Sequence, residues 1–168
     1  MQQPGWKAFH IPKMAEHQFG ELQKIYEALR DTNELRIASR RFNRGIVREN
    51  DDDAIVDLVV GLETLLLNDS DELRYKFSLR LAALWKKHPD SSLTPQMVFK
   101  ACKTVYDRRS FVAHGNRKAG EKHLKIKLRD KELDVLPTAI EFLRIALRVL
   151  VDNPKYLISD EIENDLLL

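Results

Sequence analysis

Residues 50–69, NDDDAIVDLVVGLETLLLND, place the strongest constraint on the fold of this chain. After three aspartates, apolar residues fall on almost every side of a helix. The aspartates at 51–53 suit an N-cap and a first turn, where negative charge meets the positive end of the helix dipole. We expect a helix over 53–67 that must be covered all round, either by the core of the chain or by an oligomer interface.

The composition supports helices on all sides of this segment. The chain has 168 residues, of which 43% are hydrophobic and 32% charged, but only six glycines and six prolines. So few turn-forming residues suit long helices better than many short strands. We therefore predict an all-α fold, an antiparallel bundle of five or six helices without a convincing sheet.

Helical periodicity and end signals place the other elements of the bundle. Thr94 and Pro95 form a clear helix start, and Gly115 is a good helix stop. A basic loop follows over 116–130, with a short extended piece at 124–128. The predicted helices, besides the one at 53–67, cover about 15–30, 34–48, 71–86, 95–114 and 132–152, with one or two further turns in the tail.

The chain divides into a lead-in with the first helix (1–30), a helical domain (31–152) and an acidic tail (153–168). Cys102 is the single cysteine, so we expect a buried thiol and no disulfide within the chain. The N-terminal residues contain no apolar signal-peptide core. Charges interrupt the longest apolar runs, which are too short to span a membrane. We therefore expect a cytoplasmic protein without a membrane partner.

Three charged residues fall on stripes that are otherwise apolar: Glu63, Arg80 and Arg109. A guanidinium keeps its charge in a protein, so an inward-facing arginine needs a partner. The simplest structural interpretation is an interhelical ion pair between Glu63 and Arg80, which leaves Arg109 without an assigned partner. The functional interpretation is that Arg109 faces a cleft and binds phosphate with its fork of donors.

His114, five residues after Arg109, also has two interpretations. A histidine at a helix C-terminus interacts favourably with the negative end of the dipole, which would make it a cap. None of the five histidines has metal-ligand spacing with another, so we expect neither a metal nor another cofactor. Five residues put Arg109 and His114 about 140° apart around a helix. A wide cleft between two symmetric copies would accommodate both.

The segment RSFVAH matches an arginine, four residues and a histidine, the signature of the HEPN superfamily. The order RRFNRGI, DDAIVDLVVGLETLLL, ELRYKFSLRLAALW and VYDRRSFVAHG resembles the Apea-like HEPN domain over residues 36–150. The resemblance implies a dimeric helical bundle in which two such motifs meet. Many members of the superfamily are metal-independent endoribonucleases of defence or toxin systems.

By this resemblance, Arg109 and His114 are the catalytic pair, and Ser110 takes the polar position after the arginine. The implied reaction is attack of a ribose 2′-hydroxyl on the adjacent phosphate, which leaves a cyclic phosphate. Histidine exchanges protons near neutral pH, and arginine stabilises charge on phosphate, so these residue types suit that reaction. Active ribonucleases of the superfamily often have Asn, Asp or His where this chain has Ser110.

Positive charge is concentrated around this motif, although the net charge of the chain is only +2. A basic loop beside a histidine suits a phosphate polymer, and it equally suits a solvated surface. The RNA-binding candidates are Arg108, Arg117, Lys118 and Lys122. A second basic series recurs every four residues and binds either RNA or nearby carboxylates, with the structural role favoured: Arg36, Arg40, Arg44 and Arg48.

The sequence therefore predicts an RNA-cleaving homodimer, with two rivals. The first rival is a non-catalytic helical dimer that binds RNA or a partner protein, in which Arg109 and His114 are structural or only grip phosphate. The second is a regulatory or dimerisation module beside a partner enzyme, with helix 53–67 as its interface.

Overall fold

The structure, a computed structural model, describes residues 16–68, 71–88, 92–115, 123–129 and 131–166. The predicted all-α bundle is confirmed: seven α-helices and one two-stranded hairpin occur in these ranges. The helices are α1 (Glu16–Asp31), α2 (Asn33–Val47), α3 (Asp51–Leu66), α4 (Leu73–Leu84), α5 (Pro95–Ala113), α6 (Val135–Asp152) and α7 (Ser159–Leu166). Short 3-10 turns cover Trp85–Lys87 and Pro154–Leu157. None of the described helices is long and apolar enough to cross a membrane.

Helix α3 lies at the centre of the bundle and packs against α2, α4, α5 and α6. Its apolar residues, including Leu58, Leu62 and Leu66, are buried within the chain. Of the two alternatives for this helix, core and oligomer interface, the structure selects the core. The N-cap is not one of the predicted aspartates, and the helix starts at Asp51 rather than at residue 53. Instead, the side chain of Asn50 accepts hydrogen bonds from the backbone N–H groups of Asp52 and Asp53 at 2.8 and 3.1 Å.

Glycines let the neighbouring helices approach α3 closely. A Cβ added to Gly45 of α2 would lie 2.8 Å from Cδ2 of Leu58, and one added to Gly61 of α3 would lie 2.8 Å from Cδ2 of Leu143. Both distances are shorter than van der Waals contact, so a larger residue at either position would force the leucine side chain or the helix to shift.

Helix α5 begins and ends as the sequence predicts. The Thr94 hydroxyl accepts a hydrogen bond from the Met97 N–H at 3.3 Å, and Pro95 is the first helical residue. The helix ends at Ala113, and Gly115 has a φ of +68°, which favours glycine. These two ends fix where Arg109 and His114 are presented.

The segment between α5 and α6 contains a small sheet that the sequence did not predict. Strand β1 (Lys125–Lys127) pairs antiparallel with β2 (Glu132–Asp134), with Ile126 opposite Leu133. The predicted extended piece at 124–128 is therefore half of a hairpin, and α6 starts at Val135 rather than at residue 132. Ile126 is buried, so the hairpin covers one end of the core.

Asp57 is a buried carboxylate on α3 that two arginines satisfy. Arg41 Nη1 donates to Oδ1 at 2.6 Å, and Arg48 Nε donates to Oδ2 at 3.1 Å. Burial alone would raise the pKa of Asp57, but these hydrogen bonds outweigh it and the net effect is a lowered pKa. Arg48 of the second basic series therefore has the favoured structural role, and it lies just beyond the end of α2.

The rest of that series divides. Arg36 donates to the Asn33 side chain at 2.7 Å. Arg40 and Arg44 are exposed and form no hydrogen bond or ion pair with the described part of the chain. The four-residue spacing therefore does not produce one continuous surface of available arginines.

We expect Asp57→Asn to lower the free energy of unfolding by about 2 kcal/mol at neutral pH, because it removes charged hydrogen bonds to two arginines. The lowered pKa of Asp57 means that this stabilisation is present above the usual carboxyl pKa and is lost as pH falls through the folded-state value. Urea unfolding followed by circular dichroism at about pH 7 and about pH 3 measures both effects.

The exposed Asp53→Asn variant, in the first turn of the same helix, is the control and should cost only about 0.5 kcal/mol. Equal losses for the two variants, or a gap that widens in acid, would contradict the role assigned to Asp57.

Candidate functional site

The site is built on the last two turns of α5. Val98, Cys102 and Val105, three residues of the predicted apolar stripe, are buried against the core. Burial raises the pKa of the Cys102 thiol well above its usual range, so it is an inert core residue. This buried stripe fixes the rotation of α5, and therefore the direction in which Arg109 leaves the helix.

Arg109 points to α3, where its Nη2 donates to Oε2 of Glu63 at 3.1 Å. The side chains of the two residues are 27% and 18% exposed, so the pair lies at the edge of the core. The predicted pair of Glu63 with Arg80 is therefore wrong. Arg109, which the sequence left without a partner, takes the glutamate.

Arg80 is buried and finds other partners near the C-terminal end of α3. Its Nε donates to Oε1 of Glu163 at 2.9 Å, and its Nη1 donates to the Leu66 carbonyl at 2.8 Å. Glu163 belongs to α7, in the acidic tail. The tail folds back on α4, so a carboxylate more than 80 positions away in the sequence competes successfully with one on a neighbouring helix.

The Glu63–Arg109 pair is a weak one. Burial raises the pKa of Glu63, and the positive charge of Arg109 only partly offsets this effect. The contrast is Asp57, whose two arginines more than compensate for burial. In addition, the Nε atom of Arg109 is buried and has no hydrogen-bond partner among the described residues. Such an orphaned donor is costly in a native structure.

Tyr106, one turn before Ser110, belongs to the same cluster. Burial raises the pKa of its phenol, and the negative charge of Glu63 raises it further. Its ring packs against Phe77 with centroids 5.4 Å apart. Tyr106 was not among the residues predicted from the sequence. Its position three residues before Arg109 on a helix was the available signal.

The residues just before Arg109 tie α5 to the bundle. Arg74 of α4 makes two hydrogen bonds to Asp107, at 2.7 and 2.6 Å. Arg108 is buried and forms an ion pair with Asp52 at the start of α3. The prediction that Arg108 binds RNA is therefore wrong, because its side chain is buried and already paired with Asp52. The other three RNA-binding candidates, Arg117, Lys118 and Lys122, lie outside the described residues.

Ser110 and His114 occupy the end of the helix. The Ser110 carbonyl accepts the His114 backbone N–H at 3.0 Å, so helical hydrogen bonding continues to residue 114. Ser110 is half-buried, whereas His114 is exposed. The His114 side chain forms no hydrogen bond or ion pair within the described ranges, which leaves the ring free to meet a ligand. The dipole-cap interpretation of this histidine stays compatible with its position.

Helical hydrogen bonding reaches the His114 backbone N–H, so the angular offset of an ideal helix is the best description of this pair. Arg109 and His114 lie about 140° apart around the helix axis. Within one chain, Arg109 faces Glu63 on α3 while His114 faces solvent beyond the helix end. The two side chains do not form one compact site in a single copy of the chain.

No group of three or more His, Cys, Asp or Glu side chains in the described ranges is arranged to hold a metal ion. No protein-family model, curated protein or solved structure matches this chain. The functional argument therefore depends on the residues themselves.

We expect Glu63→Gln to become more stable relative to the wild type as pH rises from about 4 to about 7. The raised pKa means that folding favours the protonated carboxyl. No penalty exists below the usual value of 4.5, and the wild type loses stability as pH rises through the folded-state value. The glutamine keeps the shape and the acceptor without the charge. Chemical denaturation at several pH values measures the difference.

Glu141→Gln, at a more exposed glutamate that pairs with Arg144 along α6, is the matched control. A difference between Glu63→Gln and the wild type that stays constant with pH, or that falls as pH rises, would contradict the weak-pair description.

Proposed function

We propose that this protein is a metal-independent endoribonuclease that acts as a homodimer, with Arg109, Ser110 and His114 of each chain in a composite site. The observation that supports the proposal most is the state of Arg109. It is held by one hydrogen bond to a glutamate whose pKa is raised, and one of its donors has no partner.

The neighbouring arginines show why Arg109 is the one suited to a ligand. Arg74 makes two hydrogen bonds to one carboxylate, and Arg108 is buried in its ion pair. Arg109 is more exposed than Arg108 and is bound by a weaker partner. A phosphate could replace Glu63 and accept from two donors of the guanidinium at once. Exchange of one weak anion for a better one costs little.

The exposed imidazole of His114 supplies the proton transfer that the reaction needs. The 2′-oxygen of a ribose attacks the adjacent phosphorus as its proton passes to a histidine. The bond from phosphorus to the 5′-oxygen then breaks as that oxygen takes up a proton. The products are a 2′,3′-cyclic phosphate and a 5′-hydroxyl, and no water is consumed. Arg109 stabilises the charge on the phosphoryl oxygens, and the Ser110 hydroxyl is a further donor.

Two copies are required because one chain separates its own pair around α5. A two-fold axis near the ends of two α5 helices would place His114 of one copy opposite Arg109 of the other. Each histidine then faces a phosphate held by the partner chain. A role in defence or in a toxin-like stress response, and control by a regulatory protein partner, follow from the HEPN resemblance and belong to this proposal.

The ion pairs of α5 also support a second candidate function, if their role is purely structural. Arg108 and Arg109 both hold α5 against α3, through Asp52 and Glu63. If that is their whole role, the chain is a non-catalytic helical dimer that binds RNA or a partner protein. Its RNA affinity would come from exposed lysines and arginines and would fall steeply with salt.

Incubation of mixed cellular RNA with purified protein in EDTA tests the proposal. We expect the wild type to produce cyclic phosphate ends. His114→Ala should reduce the rate by about a hundredfold or more, because it removes the proton-transfer group. Arg109→Ala should reduce it by a similar factor through lost charge stabilisation. The matched controls, His17→Ala on α1 and Arg144→Ala on α6, remove exposed side chains of the same types and should leave the rate unchanged.

RNA binding and thermal unfolding of each variant separate the two functions. A ribonuclease keeps RNA binding and its unfolding transition when His114 is removed. Absence of cleavage by the wild type, with RNA binding that weakens as salt rises, would overturn the ribonuclease and support the binding dimer. Cleavage that survives in His114→Ala would show that the assigned histidine is wrong.

A further inference from the structure

Helix α1 presents an apolar stripe to solvent. Phe19, Leu22, Ile25 and Tyr26 are 63%, 49%, 41% and 66% exposed, and none of the residues in this helix is buried. Together with Leu29, these residues recur at helical spacing in the sequence. Of the apolar residues of α1, only Ala28 and Leu29 pack against the core. Scattered exposed apolar residues are ordinary, but a stripe along one helix marks an interaction surface.

The body of the protein holds this stripe in a defined orientation. Leu29 packs against the core, and Lys24 of α1 forms an ion pair with Asp152 of α6 at 2.6 Å. Helices of about 16 residues are only marginally stable alone in water, so a packed face is what normally sustains them. One edge of α1 has such support, and the edge with Phe19 and Tyr26 does not.

The charge of α1 favours a protein partner over an anionic membrane. Lysines and arginines flank the apolar face of helices that bind membrane surfaces. In α1 the acidic side chains outnumber the basic ones by four to two: Glu16, Glu21, Glu27 and Asp31 against Lys24 and Arg30. Anionic lipid would repel this helix.

The same helix is complementary to an antiparallel copy of itself. Glu16 and Arg30 are 14 residues apart, which places them within about 40° of each other at opposite ends of one side of the helix. In an antiparallel pair centred near Leu22 and Gln23, Glu16 of one copy meets Arg30 of the other. The same register places Phe19 against Tyr26. Both contacts occur twice, as a two-fold axis requires.

The area is sufficient for a dimer. At these exposures the four side chains present about 450 Å² on each chain, given the size of aromatic and aliphatic residues. Two such faces remove about 900 Å² of apolar side chain from solvent, and the polar rim adds to it. The total reaches the roughly 1,000 Å² expected for a specific interface.

We propose that α1 is a homodimerisation helix, which pairs antiparallel with α1 of a second copy through Phe19, Leu22, Ile25 and Tyr26. Glu16 and Arg30 form the flanking ion pairs. The observations behind this inference lie in α1 alone, and its test is dimerisation of the α1 variants, whereas the test of the ribonuclease is RNA cleavage by the α5 variants.

Sedimentation velocity of the full chain over a range of concentrations tests the interface. We expect the wild type to form a dimer. The Phe19→Asp and Tyr26→Asp variants should remain monomers even at concentrations about thirty times higher than the one at which the wild type dimerises. Val47→Asp, at a residue of α2 that is 75% exposed, is the matched control and should remain a dimer. Circular dichroism establishes that each variant is folded. A monomeric wild type, or a dimer that survives both α1 substitutions, would overturn the proposal.

Charge reversal tests the antiparallel register without altering the apolar stripe. Glu16→Arg or Arg30→Glu alone should weaken dimerisation roughly fivefold, because like charges then meet twice. The double variant should restore it, since the pairs are re-formed with opposite polarity. Failure of the double variant to recover would mean that another surface or another partner covers the stripe, and would overturn self-pairing.

Disulfide cross-linking through an introduced cysteine gives a second test of the register. Gln23 lies near the proposed two-fold axis, and the single natural cysteine, Cys102, is buried. Gln23→Cys should form a disulfide-linked dimer on mild oxidation. Glu21→Cys, which points to the opposite side of α1, should not. Equal cross-linking of the two variants would contradict the register.

Discussion

The burial of α3 is the constraint on which the rest of the structure depends. A helix that is apolar on nearly every side is stable only when other helices surround it. Here α2, α4, α5 and α6 all contact α3, and Gly45 and Gly61 allow two of those approaches to be close. The polar groups on such a helix must find partners where they lie. Asp57 accepts hydrogen bonds from two arginines, whereas Glu63 accepts one from Arg109 of α5.

Asp57 is paired with two arginines, Arg41 in α2 and Arg48 just after α2. Together they stabilise the charged carboxylate and lower its pKa. Glu63 receives one hydrogen bond from Arg109, and its charged form remains disfavoured. The Asp57 pairs compensate fully for the burial of their carboxylate, whereas the Glu63 pair compensates only in part. The end of α5 therefore combines a fixed helix, a loosely held guanidinium and an exposed imidazole. These are the parts that binding of a phosphate, and transfer of a proton beside it, require.

Both proposals call for a dimer, for separate reasons. The α5 motif is divided around its helix axis, so one chain cannot bring Arg109 and His114 together. The α1 stripe is left uncovered by the chain's own core. In the two proposals a second copy would complete each feature, on a different helix in each case. The variants on α1 and α5 test the two surfaces independently.

Local spacing and apolar periodicity were enough to predict the helices and their end signals at Thr94, Pro95 and Gly115. They also showed that Glu63, Arg80 and Arg109 needed partners, since charges on apolar stripes cannot stay unpaired. That α3 is covered by helices of its own chain, and which partners the three charges take, followed only from the three-dimensional fold. Glu163 reaches Arg80 because the tail folds back onto α4, and Arg108 turns inward to Asp52. Such pairings depend on the three-dimensional approach of distant segments, which no spacing along the chain encodes.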